Sequence, residues 1–150
     1  MKNMHKVFAF ALCLFLVSVA GAFAQEHAMG GMAVKGEMID LGSVTQDGVE
    51  GLAEIKDIHE AMAKMGMEAT HHFMVMFVDT KDFEPIEEGL VAVKIKDPSG
   101  KVSEPVKLMG MHGGFGSDIT LPGKGDFVLE VGTKLKDGKK RVFEYSYTVK

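Results

Sequence analysis

The segment THHFMVMFV, residues 70–78, is the most strand-like stretch of the chain. β-Branched and aromatic residues favour strands, and successive side chains of a strand point to opposite faces. Both faces of this strand are largely apolar, one with His71, Phe73, Val75 and Phe77, the other with His72, Met74, Met76 and Val78. Such a strand is typically covered on both sides, so the segment predicts a central strand or one beneath a loop.

Further strand signals follow at intervals of about 8 to 12 residues, with turn signals between them. Predicted strands span residues 49–58, 70–78, 90–96, 102–109, 117–121, 127–135 and 141–149. Residues 59–69, HEAMAKMGMEA, contain helix formers but are interrupted by Gly66, which predicts a short helical or loop insertion. Residues 36–150 are therefore predicted to form a single all-β domain, an antiparallel β-sandwich of about seven strands.

The N-terminus has the three parts of a secretory signal peptide. Residues 1–6 are short and basic, residues 7–21 are almost wholly apolar, and Ala22-Phe23-Ala24 places small residues before a cleavage site. An uncleaved anchor is the alternative, but a membrane span needs about 20 apolar residues. We expect cleavage after Ala24, a flexible N-terminal arm over residues 25–35, no membrane span after cleavage, and a periplasmic or otherwise exported location.

Charge and cysteine content exclude several classes of function. The chain has 17 basic and 21 acidic side chains, so its net charge of −4 becomes −6 when Lys2 and Lys6 leave with the signal. That balance disfavours binding to a nucleic-acid backbone. Cys13 also leaves, so the mature protein has no disulfide, thiolate nucleophile or blue-copper centre. His59-Glu60 lacks the second histidine of a zinc-protease helix, and no other catalytic motif is complete, so an enzyme is not expected.

Methionine is abundant, with 12 in the chain. Thioether sulfur is a soft ligand that suits Cu(I), and imidazole suits both oxidation states of copper. The candidate metal ligands lie in two segments: His71, His72, Met74 and Met76 in the predicted strand, and Met109, Met111 and His112 in a predicted glycine-rich loop. We expect one of the two adjacent histidines, and not both, to bind metal. Because methionine also fills irregular cores, packing is the alternative role for Met74 and Met76.

Two segments carry a resemblance to known families: VAVKIKDPSG, residues 91–100, and LMGMHGGFGSDITLPGKGDFVLEV, residues 108–131. They resemble YtkA-like exported β-sandwich domains and are also similar to the periplasmic iron/copper-binding proteins that accompany iron permeases. In both, a methionine-bearing strand leads into a glycine/aromatic loop, then a strand and a Leu-Pro-x-x-Gly-x-aromatic turn. The resemblance implies an immunoglobulin-like fold and periplasmic metal handling. The permease-associated proteins have histidine directly before the loop aromatic, where this chain has Gly114 before Phe115.

The sequence thus predicts an exported metal-binding protein, a copper carrier or buffer with Met and His ligands. Iron, or no metal, are the alternatives to copper. Beyond the metal ion, the expected partner is an envelope transporter or a metal-acceptor protein. The competing interpretation is a non-catalytic accessory module of the cell envelope whose methionines fill the core. Convergence of the Met and His side chains on one point would favour metal binding, and their scatter through the core would favour the accessory module.

A separate Cu(II) site is predicted at the mature N-terminus, Gln25-Glu26-His27. Its α-amine, two amide nitrogens and third-position imidazole can form a square plane of four nitrogens, which suits Cu(II) or Ni(II). Protein whose intact mass shows a free Gln25 should bind one Cu(II), with a visible d–d band that weakens at low pH because amide protons must leave. His27→Ala should abolish this band in an optical titration. A band that survives the substitution contradicts the site.

Overall fold

The computed structural model describes residues 36–150, so the predicted signal peptide, the predicted N-terminal arm and the predicted Gln25-Glu26-His27 site lie outside the described residues. Its elements, in chain order, are β1 (Ile39–Gln46), β2 (Val49–Asp57), α1 (His59–Lys64), β3 (His71–Asp79), β4 (Gly89–Lys96), β5 (Val106–Met111), β6 (Gly114–Ile119), β7 (Gly125–Leu135) and β8 (Lys140–Val149). The predicted all-β antiparallel fold with a short helix is confirmed. In this described part of the chain, no helix is long and apolar enough to cross a membrane.

The strands form a continuous antiparallel sheet in the order β1-β2-β3-β6-β5-β4-β7-β8. β5 pairs with β6 on one side and β4 on the other, which joins the two halves of the sheet. The terminal strands β1 and β8 also lie against each other. The sheet therefore curls into a nearly closed barrel of eight strands, which differs from the predicted sandwich of about seven.

Two local features differ from the sequence-based prediction. β1 is absent from that prediction because its sequence IDLGSVTQ has little apolar alternation and most of its residues are exposed. Residues 110–116, predicted as a loop, instead complete β5 and β6 and leave only His112 and Gly113 in the turn. These two residues have φ values of 48° and 80°. Positive φ at both positions is typical of a type I′ hairpin turn.

The core lies inside the curled sheet and is dominated by phenylalanine. The largest fully buried side chains are Phe73, Phe77, Phe127, Phe143, Ile55, Leu129, Val75, Val93 and Val131. The Phe77 ring lies 5.1 Å from the Phe143 ring and 5.9 Å from the Phe115 ring, between centroids. Complete burial of such a side chain contributes about 1.5–3 kcal/mol, so this cluster holds β3, β6 and β8 together.

A buried hydrogen bond crosses the core between β8 and β2. The Tyr145 hydroxyl donates to the Gly51 carbonyl oxygen over 2.8 Å. A Cβ atom on Gly51 would lie 2.6 Å from the Tyr145 hydroxyl oxygen and 3.1 Å from ring carbons of Phe77 and Phe143. Glycine is therefore needed at this position to admit the tyrosine. Burial also raises the pKa of Tyr145, so the hydroxyl remains a donor.

Replacement of Gly51 by alanine tests this close packing. Gly51→Ala is expected to lower the free energy of unfolding by about 1–3 kcal/mol because the added methyl group overpacks the core. Gly132→Ala is the matched control in β7, since its Cβ would meet only the Ala92 carbonyl oxygen, at 3.9 Å. Adding Tyr145→Phe to Gly51→Ala should recover part of the loss. Urea unfolding measures all three, and equal stability of the two alanine variants would contradict the prediction.

Candidate metal centre

β3 presents His71 and His72 to opposite faces of the sheet. His71 is buried on the inner face, where its ring lies edge-on to Tyr147 with 5.3 Å between centroids. Its Nδ1 is 2.7 Å from the Thr70 hydroxyl oxygen. Burial lowers the pKa of His71, which favours the neutral imidazole. The structure thus keeps His71 in the core and away from the outer-face methionines of its own strand.

His72 lies partly buried on the outer face and is held by an acid that the sequence prediction did not include. Its Nδ1 is 2.7 Å from Oδ1 of Asp118 on β6, which stands directly opposite in the strand register. An ionised carboxylate only accepts hydrogen bonds, so Nδ1 carries the hydrogen. This arrangement leaves Nε2 with its lone pair available to a metal, as in many histidine ligands fixed by a carboxylate.

Two glycines of β6 form a depression in the outer face, here called the glycine trough and defined by Gly114 and Gly116. In the strand register, Gly116 lies between Met74 of β3 and Met109 of β5. Gly114 is paired with Met111 of β5. Since partners in adjacent strands share a face, the methionines of β3 and β5 border the trough from both sides.

Three methionine side chains extend over the two glycines of the trough. A Cβ atom on Gly116 would lie 2.9 Å from Met74 Cγ and 3.0 Å from Met111 Sδ. A Cβ atom on Gly114 would lie 2.8 Å from Met76 Cγ. Met74 and Met111 therefore approach each other above Gly116, in the space that any larger residue would fill. Of the predicted ligands, Met74 and Met111 thus share the space above Gly116, and Met76 lies above the neighbouring Gly114.

Met109 and His112 lie at the margin of the trough. Met109 is 54% exposed, although it is directly opposite Gly116. His112 is exposed at the tip of the β5–β6 hairpin and lines a shallow cleft of about 210 Å³ with Met111 and Glu87. Neither side chain is among the nearest atoms that a Cβ on Gly114 or Gly116 would meet, whereas Met111 is. Of the second predicted group of ligands, Met111 therefore lies over the trough, and Met109 and His112 lie at its margin.

The donor atoms at the trough are mostly neutral and soft. Within residues 36–150, no group of three or more His, Cys, Asp or Glu side chains is arranged to hold a metal ion. The side chains that do come together are thioethers, with the His72 imidazole two residues from Met74 on the same face. Thioether and imidazole donors suit Cu(I) better than hard cations such as Mg²⁺ or Ca²⁺, which prefer oxygen.

Comparison with known proteins finds similarity in structure only. No protein-family model matches the chain, and no curated protein matches it in sequence. The crystal structure of FetP from uropathogenic Escherichia coli strain F11, expressed in the periplasm, has a TM-score of 0.59 at 12% identity, covering 75% of this chain and 96% of FetP. The copper-bound E46Q variant of FetP has a TM-score of 0.58 at 14% identity, covering 75% and 97%.

These similarities show a FetP-like fold. At such low identity they concern the path of the backbone and not the residues of a site. They agree with the resemblance to the periplasmic iron/copper-binding proteins and give no specific support to the YtkA-like resemblance. The copper in the second structure belongs to FetP.

The buried His71 makes stability depend on pH. Its native pKa lies below the ordinary value of 6.5, so the unfolded chain takes up a proton more readily than the folded protein. The free energy of unfolding should therefore be greatest above pH 6.5 and fall as the pH drops below it. Urea unfolding across this range measures the slope, which His71→Gln should reduce. An identical slope in wild type and His71→Gln would contradict the assignment.

Proposed function

We propose that this protein is an exported copper-binding protein that carries or buffers Cu(I) at the glycine trough. The observation that supports this most directly is the approach of Met74 and Met111 to each other above Gly116. Met76, above Gly114, and His72, held by Asp118, are the further ligands available on the same face. The FetP-like fold, with a copper-bound member, agrees with the proposal.

The chemistry of these ligands favours Cu(I) over Cu(II). Thioether sulfur is neutral and polarisable, so it stabilises a soft monovalent ion and gives little to a harder divalent one. His72 and Met74 are two positions apart on the same face of β3, about 7 Å along the strand. A metal ion placed between them is within reach of both side chains. Thioether ligands carry no proton on sulfur, so metal binding releases none, whereas a cysteine thiol must lose its proton to bind a metal.

The position of the site suits release as well as uptake. Met74, Met76 and Met111 are partly buried on the outer face, where an ion can enter without opening the core. No complete catalytic motif accompanies them, so carriage or buffering fits better than a catalytic role. The competing accessory-module interpretation requires the methionines to fill the core. The core is instead filled by phenylalanine and aliphatic residues from the inner face.

Paired leucine substitutions test the proposed ligands. Met74→Leu/Met111→Leu keeps apolar side chains of similar volume and removes both sulfur atoms, so the fold should persist. We expect Cu(I) affinity to fall at least tenfold, about 1.4 kcal/mol. An anaerobic competition titration with a chromophoric Cu(I) chelator measures the affinity. Met109→Ala/Met111→Ala/His112→Ala should also weaken binding at least tenfold, and Met109→Leu alone should weaken it less.

Met65→Leu/Met67→Leu is the matched control, because both methionines are exposed and lie outside the trough. This control should retain wild-type affinity. Copper-edge X-ray absorption of the wild type should show sulfur neighbours that are lost in Met74→Leu/Met111→Leu. Equal Cu(I) affinity in wild type and in that variant would refute the proposed site and favour the accessory-module interpretation.

A further inference from the structure

Phe83 is an exposed aromatic residue in an unusual backbone conformation. Its side chain is 76% exposed, and its φ is 59°. Bulky residues seldom adopt this left-handed conformation, and such positions often mark functional sites. Phe83 belongs to the acidic loop, defined here as residues 80–88 between β3 and β4, which also contains Asp82, Glu84, Glu87 and Glu88.

The acidic loop is well ordered by hydrogen bonds. The Phe83 amide donates to the Asp79 carbonyl over 2.9 Å, and the Asp79 amide donates to the Glu84 carbonyl over 3.0 Å. The Ile86 amide donates to the Phe77 carbonyl over 2.8 Å, which fastens the end of the loop to β3. Phe83 is thus presented to solvent by a fixed framework. An aromatic side chain held in place loses little conformational freedom when a partner covers it.

A surface of complementary chemistry lies on the outer face of β4, β7 and β8. This basic groove has a volume of about 600 Å³ and is lined by Leu90, Gly132, Val142, Lys107, Lys134 and Lys140, with no acidic residue in its lining. Leu90 is 64% exposed and Val142 is 54% exposed. Gly132 stands between Ala92 and Val142 in the strand register, so small side chains create the depression. The groove is a basic patch on a chain of net negative charge.

We propose that the basic groove receives Phe83 and the acidic loop of a second copy of this chain. An aromatic side chain flanked by carboxylates matches an apolar floor flanked by lysines. The loop and the groove also adjoin in one molecule, because β4 begins directly after the loop and its second residue, Leu90, pairs with Lys134. Two copies can therefore exchange both contacts about a twofold axis.

The variants that test this association leave the proposed copper ligands unchanged. The glycine trough lies on β3, β5 and β6, whereas the groove lies on β4, β7 and β8, with Lys107 of β5 at its edge. Variants that lose the dimer should keep the wild-type Cu(I) affinity, which the Met74→Leu/Met111→Leu substitutions are expected to lower. A failed copper experiment likewise has no bearing on the dimer.

Sedimentation of the mature chain over a range of concentrations tests the association. We expect reversible formation of a species of twice the monomer mass, weakened by salt because the rim contacts are exposed ion pairs. Phe83→Asn should weaken dimerisation at least tenfold, since asparagine tolerates positive φ and keeps the loop intact. Val102→Ser, at an exposed apolar residue outside both surfaces, should have no effect.

A charge exchange distinguishes a second copy from an unrelated partner. Lys134→Glu/Lys140→Glu and Glu84→Lys/Glu88→Lys should each be monomeric, because both reciprocal contacts become repulsive. A mixture of the two variants should form a heterodimer, in which both contacts are again attractive. The proposal is overturned by a wild type that stays monomeric, by a dimer that Phe83→Asn leaves unchanged, or by a mixture that does not associate.

Discussion

The antiparallel register between β3 and β6 is the constraint on which the core and the outer face both depend. Side chains alternate along a strand, so burial of Phe73 and Val75 places His72 and Met74 on the opposite face. A slip of one residue would exchange these sets and expose the phenylalanines to water. The same register sets His72 opposite Asp118 and Met74 opposite Gly116. Core packing therefore decides which candidate metal ligands of β3 lie on the outer face.

The two glycines of the trough lower the stability of β6, and the packing around them compensates for this loss. A glycine within a strand destabilises it by about 0.5–1 kcal/mol relative to alanine, because the unfolded chain has more freedom. Gly114 and Gly116 lie in β6 between two paired strands, with no positive φ that would require glycine. What they provide is space, since a Cβ atom at either position would collide with a methionine side chain or with the backbone of β3. Burial of Phe115, the residue between them, keeps β6 in place.

The predictable features are those that depend on residues close together in sequence. Alternation in residues 70–78 predicts the two faces of β3, and KDGKK predicts the β7–β8 hairpin. The partnership of His72 with Asp118 joins residues 46 positions apart, so no local pattern contains it. The role of Gly116 also appears only when β3 and β5 are placed beside β6. The glycines of residues 110–116 are compatible with either a loop or closely packed strands. The positive φ values of His112 and Gly113 show a tight turn between two strands.

Closure of the sheet makes the trough a preformed feature. Arg141 donates to the Asp137 carboxylate at 2.6 Å and to the Asp47 carbonyl at 3.2 Å, which ties the β7–β8 hairpin to the β1–β2 turn. The Arg141 hydrogen bond lowers the pKa of Asp137 to about 2, so this link stays charged under the mildly acidic conditions that protonate a histidine. Because the core and this link fix the strands, the proposed copper ligands Met74 and Met111 lie on a framework that is already formed. Under the copper proposal, such preorganisation favours repeated uptake and release by a folded protein over folding around the ion.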